Sequence, residues 1–387
     1  MTPTATHRRS AALCAALALA AATGASAARA ETGVTDTTVL IGQSAVFSGP
    51  VADTGNHYRA GIELCFDKVN KAGGVNGRKL ELTALDDAYD PKRTAANTHT
   101  LIEQNKVFAL IGYTATANLI AAMPIAEAAK VPVFAPLVGT TSFRQKHNHY
   151  LFHVRASYQN ELSRIAQQLS VVGSDNVAVV YQDSAFGRSN LDTLLPLLQA
   201  QKLKVAKTLP MAIDASSAAD IATQITQANA GAVIMIMAGK MSEVLIRDLK
   251  AAGVGSTIYT ISVGIVDAKG AATRLNGALR GVVTASIVPS PRLERYGIVK
   301  EYRQAIASSG AKIDNYTVLE GYIAAKVFVE GLRRAGRTPT REGFIAALEG
   351  LGKYDLGEFR VEYGPSNHNG SIFVELEMYT GDGNLIR

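Results

Sequence analysis

Cysteine is nearly missing from this chain. Of 387 residues only Cys14 and Cys65 are cysteines. Cys14 lies in an N-terminal segment expected to be removed. Leu13 directly precedes it and most of the apolar run follows it, the wrong order for a lipid-attachment site. Cys65 is then alone, which excludes an intramolecular disulfide. It sits in the apolar pattern Ile62, Leu64, Cys65, Phe66, Val69 and reads as a buried, inert core thiol. Long hydrophobic runs are also scarce. Ala11 to Ala22 is unbroken but too short for a bilayer anchor, and no later stretch is long and apolar enough for a membrane helix. The excess of basic charge is small. The formal charge is +6, and removal of Arg8, Arg9 and Arg29 with residues 1–30, which hold no acid, lowers it to +3. The remaining Lys and Arg are dispersed with no aromatic-interleaved stripe, so nucleic-acid binding has no support. There is no G-x-S-x-G elbow, no P-loop and no G-x-G-x-x-G, so neither an enzyme nor a nucleotide cofactor is expected.

What is present begins with the leader. His7-Arg8-Arg9, the apolar run and Ala28-Arg29-Ala30 form a secretory signal peptide over residues 1–30, cleaved after Ala30 with Ala27 the alternative. The mature protein is expected to be exported and soluble.

The stretch from Leu110 to Thr141 organises the rest. Leu110-Ile111-Gly112 is a short buried strand, Tyr113 to Asn118 a turn of small residues, and Leu119 to Ala129 an apolar helix. Val131 to Ala135 is a second strand, and Leu137-Val138-Gly139-Thr140-Thr141 a second small-residue turn. In a parallel sheet both turns lie at the carboxyl ends of strands, where open α/β folds hold ligands. The N–H groups opening the helix suit an anion such as a carboxylate.

Strands alternate with helices before and after this unit, predicting an α/β fold of two doubly wound parallel-sheet lobes. The first lobe includes strands Val39–Ala45, Lys79–Asp86, Val107–Gly112 and Val131–Ala135. The second includes Val177–Tyr181, Val205–Leu209, Ala232–Met237 and Ile258–Thr260. A further strand, Gly281–Ser286, three helix-like segments, and strands Gly357–Glu362 and Ile372–Tyr379 split by the turn Gly364-Pro365-Ser366-Asn367 complete the chain. A cleft between two equivalent lobes is a common small-ligand site. Asp86, Asp87 and Asp90 read as loop caps, because their spacing is not that of a calcium loop. His147, His149 and His153 share one face of an extended segment. With no nearby Cys or acidic fourth ligand, they read as solvated histidines and no metal is expected.

Several motifs, in order and at matching spacing, carry a resemblance. They are Phe47-Ser48-Gly49-Pro50, Gly73-Gly74-Val75-Asn76-Gly77-Arg78, Asp86 to Pro91, Ile111-Gly112 with Thr116, and Phe134-Ala135-Pro136 with Gly139. Val154-Arg155-Ala156 and Asp183-Ser184-Ala185-Phe186-Gly187 complete them. With these the chain resembles the type I periplasmic solute-binding proteins of the leucine/isoleucine/valine-binding group, which serve ABC importers. The resemblance implies two lobes joined by three hinge crossings, near Arg155–Ser157, Thr284–Ile287 and Phe359–Tyr363. Lobe one then takes 34–155 plus 287–358, and lobe two 156–286 plus 359–387. It implies a monomer with a small carboxylate ligand, most simply an amino acid of the branched-chain type, and an inner-membrane ABC permease as partner. A binder of amine-free aromatic or aliphatic acids, or a ligand-sensing subunit for a receptor, remains an alternative.

The same resemblance places a carboxylate clamp on the Thr116 hydroxyl and the backbone of Leu137 and Gly139, with Phe186 closing from lobe two. Two positions depart from the amino-acid pattern. Val263 stands where the group places an acidic residue for the ammonium, and Lys240 where it places a tyrosine. Tyr89 replaces a cysteine that some relatives pair.

Overall fold

A computed structural model describes residues 31–174 and 176–386. The signal peptide expected over residues 1–30, with Cys14, lies outside the described residues. The first sheet holds β1 (Thr38–Ala45), β2 (Lys79–Asp86), β3 (Ala109–Ile111), β4 (Val133–Phe134) and β5 (Leu151–Phe152). All are parallel, in the order β2-β1-β3-β4-β5. Its central strands are buried on both faces, as a parallel sheet covered by helices requires.

Helices α1 (Ala52–Lys71), α2 (Pro91–His99) and α3 (Thr116–Ala128) connect these strands, and α4 (Ser142–Gln145) is one short turn. Pro91 opens α2, where its missing N–H costs nothing, and the Asp90 side chain caps it by accepting from Lys92 N.

The second unit alternates α5 (Tyr158–Val171), β6 (Asn176–Gln182), α6 (Ala185–Ala200), β7 (Lys204–Met211), α7 (Ala218–Ala228), β8 (Ala232–Ile236), α8 (Lys240–Ala251), β9 (Thr257–Thr260), α9 (Ala268–Arg274) and β10 (Val283–Ser286). Its parallel strands run in the order β10-β9-β8-β6-β7. The chain then returns to the first unit through α10 (Gly297–Ser309), α11 (Tyr316–Arg334) and α12 (Arg341–Glu349). α11 lies directly on α1. A Cβ on Gly321 would sit 2.1 Å from Tyr58 O, and one on Gly61 2.0 Å from Val318 O. Only glycine lets these two backbones meet.

The C-terminal strands correct one boundary. β11 (Lys353–Asp355), β12 (Arg360–Gly364) and β13 (Asn367–Gly370) form an antiparallel sheet, with the expected turn between Gly364 and Asn367. This sheet is anchored beside β5, through His153 N donating to His368 O at 2.8 Å and Ser371 N to Val154 O at 2.9 Å. Residues 359–370 therefore stay with the first sheet. The chain returns to the second at 371–374, before β14 (Glu375–Tyr379) and β15 (Leu385–Ile386) add to β10 as antiparallel edge strands. The sequence shows strands here but not their partners, so the expected crossing at Phe359–Tyr363 falls a hairpin too early.

One of the three expected solvated histidines differs as well. His153 is buried beneath the hairpin at 1% exposure. His149 is exposed and pairs with Glu342 at 2.8 Å. No described helix is long and apolar enough to cross a membrane.

Candidate functional site

The carboxyl ends of β1, β3 and β4 face those of β6, β8 and β9 across a narrow gap. The loop after β3 is held in an unusual shape. Ala115 has φ 69° and ψ 135°, a strained conformation for a residue with a Cβ, and supplies no side-chain cap to α3. The first helical bond runs from Leu119 N to Ala115 O at 3.0 Å. The N–H groups of Thr116, Ala117 and Asn118 thus precede the first intrahelical donor, Leu119 N, at the positive end of the helix dipole. Thr116 Oγ1 lies 2.7 Å from Thr140 Oγ1, both buried, and Thr114 Oγ1 accepts from Val46 N at 3.0 Å.

Thr114 and Thr116 border a chamber of about 30 Å³. Its walls are mostly apolar, with Val46 and Val51 from the loop after β1, Leu137 after β4, and Phe186, Ala238 and Val263 from the second unit, and Thr54, Tyr89 and Tyr158 also line it. The Ser184 side chain caps α6 by accepting from Gly187 N, which fixes Phe186 in the first turn, its ring 5.3 Å from that of Tyr158 and edge-on at 74°. No acidic side chain lines the chamber among the described residues.

The two units touch across this gap. Gln182 Nε2 donates to Tyr89 OH at 3.1 Å, and Lys240 N approaches Pro50 O at 3.5 Å. Tyr89 is presented by a loop tied down by two carboxylates. Asp87 is buried, accepts from Tyr89 N at 3.0 Å and from Ser44 Oγ at 3.2 Å, and burial pushes its carboxyl up against these bonds. Asp86 accepts from Phe47 N, Ala88 N and Ser48 Oγ. Burial raises its carboxyl, but these bonds outweigh it and hold the carboxyl below the ordinary range. The expected role of Asp86, Asp87 and Asp90 as loop caps is what the structure shows.

Thr116, Leu137, Phe186 and Val263 therefore meet in one chamber, while two other candidates stand apart. The Lys240 side chain is exposed at the start of α8, and only its backbone reaches the partner lobe. Gly139 does not line the chamber; its carbonyl accepts from Tyr158 N at 2.8 Å, and a Cβ there would lie 2.8 Å from that nitrogen. The Leu137 N–H is already donated to Tyr113 O at 2.8 Å, so it is not free for a ligand. Sequence reasoning missed Thr54, Thr114 and Tyr158 as lining residues. Tyr158 had a signal: Ser157-x-x-Asn160 is a reciprocal N-terminal cap that marks the helix start just after a crossing.

Behind Tyr158 lies a buried ionic cluster. Arg155 is 2% exposed; its Nη2 donates to Ser262 Oγ at 2.6 Å and to Glu161 Oε1 at 3.3 Å, with Glu320 Oε1 3.7 Å from Nε. Arg155 belongs to a crossing, Glu161 and Ser262 to the second unit, and Glu320 to α11. Burial pushes the Glu320 carboxyl up to about 7, with Arg155 pulling it down and Glu161 pushing it up. On the far side, Glu320, Ser262, His57 and Asn315 border a second, larger cavity of about 460 Å³.

This two-unit α/β architecture has known counterparts. Residues 38–374 match the periplasmic binding protein family. The chain belongs to that family. An amino acid binding protein of Pseudomonas aeruginosa is 25% identical to this family member over 173 residues, 44% of this chain and 46% of the relative. The chain thus spans about half the length of the curated relatives it matches. A possible leucine/isoleucine/valine-binding protein from Rhodopirellula baltica superimposes with a TM-score of 0.84 at 27% identity, over 92% of this chain and 98% of that one. A solute-binding protein of an ABC transporter from R. palustris, solved with benzoate, shares the fold at 18% identity, with a TM-score of 0.80 over 90% and 95% of the two chains.

Proposed function

We propose that this binding protein captures a small monocarboxylate between its lobes and delivers it to an ABC permease in the inner membrane. The observation that carries the reading is the uncapped N-terminus of α3, with the Thr116 hydroxyl beside it, opening on a mostly apolar chamber. A carboxylate fits that end of the helix through its N–H groups and dipole. The apolar walls suit the ligand's hydrocarbon body, which enters as the lobes part, since a chamber of about 30 Å³ holds little more than a water. An α-ammonium finds no acidic partner in this chamber, and burying one without a counter-charge is costly. The geometry therefore favours an aliphatic or aromatic acid without an amine over a branched-chain amino acid. The names of the curated relatives support the amino-acid reading, and the benzoate-bound structure shows that this fold accommodates an amine-free acid.

In this reading the protein acts as an exported monomer whose lobes, 34–155 with 287–370 and 156–286 with 371–387, hinge at the three crossings. Ligand docks on lobe one, and Phe186 and Val263 close from lobe two. A matched pair of ligands tests the choice: L-leucine, and 4-methylpentanoate, which is leucine without its amine. A ligand that binds only the folded state raises the melting temperature. 4-Methylpentanoate is expected to give the larger shift. A preference for L-leucine of tenfold or more in a calorimetric titration would overturn the amine-free reading.

A further inference from the structure

The fold brings together three side chains that are far apart in sequence and remote from the ligand chamber. His147 follows α4, Glu349 ends α12, and His368 lies in β13. Their ligand-capable atoms all lie within 4.8 Å of one another. His368 is 5% exposed and stacked flat on Phe152, with ring centroids 3.6 Å apart and planes at 17°. His147 stands edge-on to it at 4.4 Å and is exposed to solvent.

The hydrogen bonds of His368 decide its tautomer. Nδ1 lies 3.0 Å from Asn148 O and 3.1 Å from Leu151 O. Carbonyl oxygens only accept, so Nδ1 carries the proton. In the neutral ring the Nε2 lone pair then points at Glu349 Oε1, 3.1 Å away. A neutral ring thus leaves two acceptors facing each other, which a shared cation would bridge; a doubly protonated ring would donate to the carboxylate instead. A ring whose far N–H is held by a backbone carbonyl is also the usual orientation of a metal-ligating histidine.

We propose that His147, Glu349 and His368 form a binding site for a borderline divalent cation, zinc being the best match to two imidazoles and one carboxylate. A tetrahedral zinc with bonds of about 2.1 Å sets its ligand atoms about 3.4 Å apart. The Glu349–His368 spacing already agrees, and the exposed His147 ring is free to swing in. Water takes the fourth position on the open side. The ion ties the end of α12 and the β11-β12-β13 sheet to the segment leading into β5. It is thus a staple within lobe one, independent of the ligand chamber. Sequence reading set His147 beside His149 and His153. The fold replaces those two with Glu349 and His368, because His149 pairs with Glu342 and His153 is buried.

The test uses the mature chain stripped with chelator, desalted and titrated with zinc chloride against a chromophoric competitor. One zinc per chain is expected, with a rise in melting temperature at saturation. His147→Ala removes an exposed ligand without touching the core, and Glu349→Gln removes the carboxylate. Each is expected to weaken zinc binding by at least about tenfold and to abolish the thermal shift. His99→Ala, at a separate surface histidine, should leave both unchanged. Absence of stoichiometric uptake by the unmodified chain would overturn the proposal and leave the pair as a protonated histidine against a carboxylate. Equal uptake by His147→Ala would overturn it as well, placing the bound zinc elsewhere.

Discussion

The Glu320 carboxyl offers a measurement that needs no ligand. It is buried on α11 and faces the Arg155 guanidinium at 3.7 Å, with Glu161 and the rings of Tyr58 and Tyr158 also around it. Its folded-state value, pushed up to about 7 by burial, lies above the ordinary 4.5. The folded protein therefore holds this proton more tightly than the unfolded chain does. The resulting stability is fully present below pH 4.5 and is lost as pH rises through about 7. At about 1.4 kcal/mol per pH unit, the interval amounts to about 3 kcal/mol. Glu320→Gln keeps the shape of the neutral acid and cannot ionise, and Arg155 retains Glu161 at 3.3 Å. Urea unfolding at 25 °C is the assay, with both proteins measured from pH 5 to pH 8. The two should be close in stability at pH 5, and the variant should gain on the parent as pH rises, by about 3 kcal/mol at pH 8. Glu161 is also held above its ordinary range by burial and shapes both curves, so the difference between them is the quantity to read. A difference that stays flat from pH 5 to pH 8 would refute the argument that a buried, imperfectly compensated carboxylate sits at this crossing.

Two further expectations concern the clamp and the thiol. Thr116→Val removes a donor at the mouth of α3, and a hydrogen bond to a charged group contributes about 1.5–3 kcal/mol, so affinity for 4-methylpentanoate should fall roughly 10- to 100-fold in calorimetry. The same change strips Thr140 of its partner and should cost about 1 kcal/mol of stability. Lys240→Ala, at an exposed side chain, should alter affinity less than about twofold; full affinity in Thr116→Val would show the site to be misplaced. Cys65 is buried and its thiol is pushed up to about 12, so it should resist a disulfide reagent at pH 8 while folded and react once the chain is unfolded in denaturant. Rapid labelling of the native protein would contradict its place in the core.

Local pattern in the sequence was enough for the alternation of strands and helices, the position of the turns after β3 and β4, and the resemblance that pointed to Thr116, Leu137, Phe186 and Val263. Each of these rests on features that act over a few residues: apolar periodicity, Pro91 at a helix start, small residues where a backbone must turn. Pairings between distant segments were decided only by the tertiary structure. The hairpin β12–β13 could have joined either sheet by its alternation alone, and its bonds to His153 and Val154 chose the first. Lys240 sits at the right place in the chain, yet the path of α8 sends its side chain to solvent. The Leu137 N–H is consumed by Tyr113, a partner on the other side of α3 and β4 in the chain. Arg155, Glu161, Ser262 and Glu320 carry no common motif, nor do His147, Glu349 and His368, because their proximity depends on how the lobes and the hairpin pack. Short-range periodicity encodes elements and the ends of strands. Which polar groups then face one another, and in what charge state, depends on long-range burial that no local spacing records.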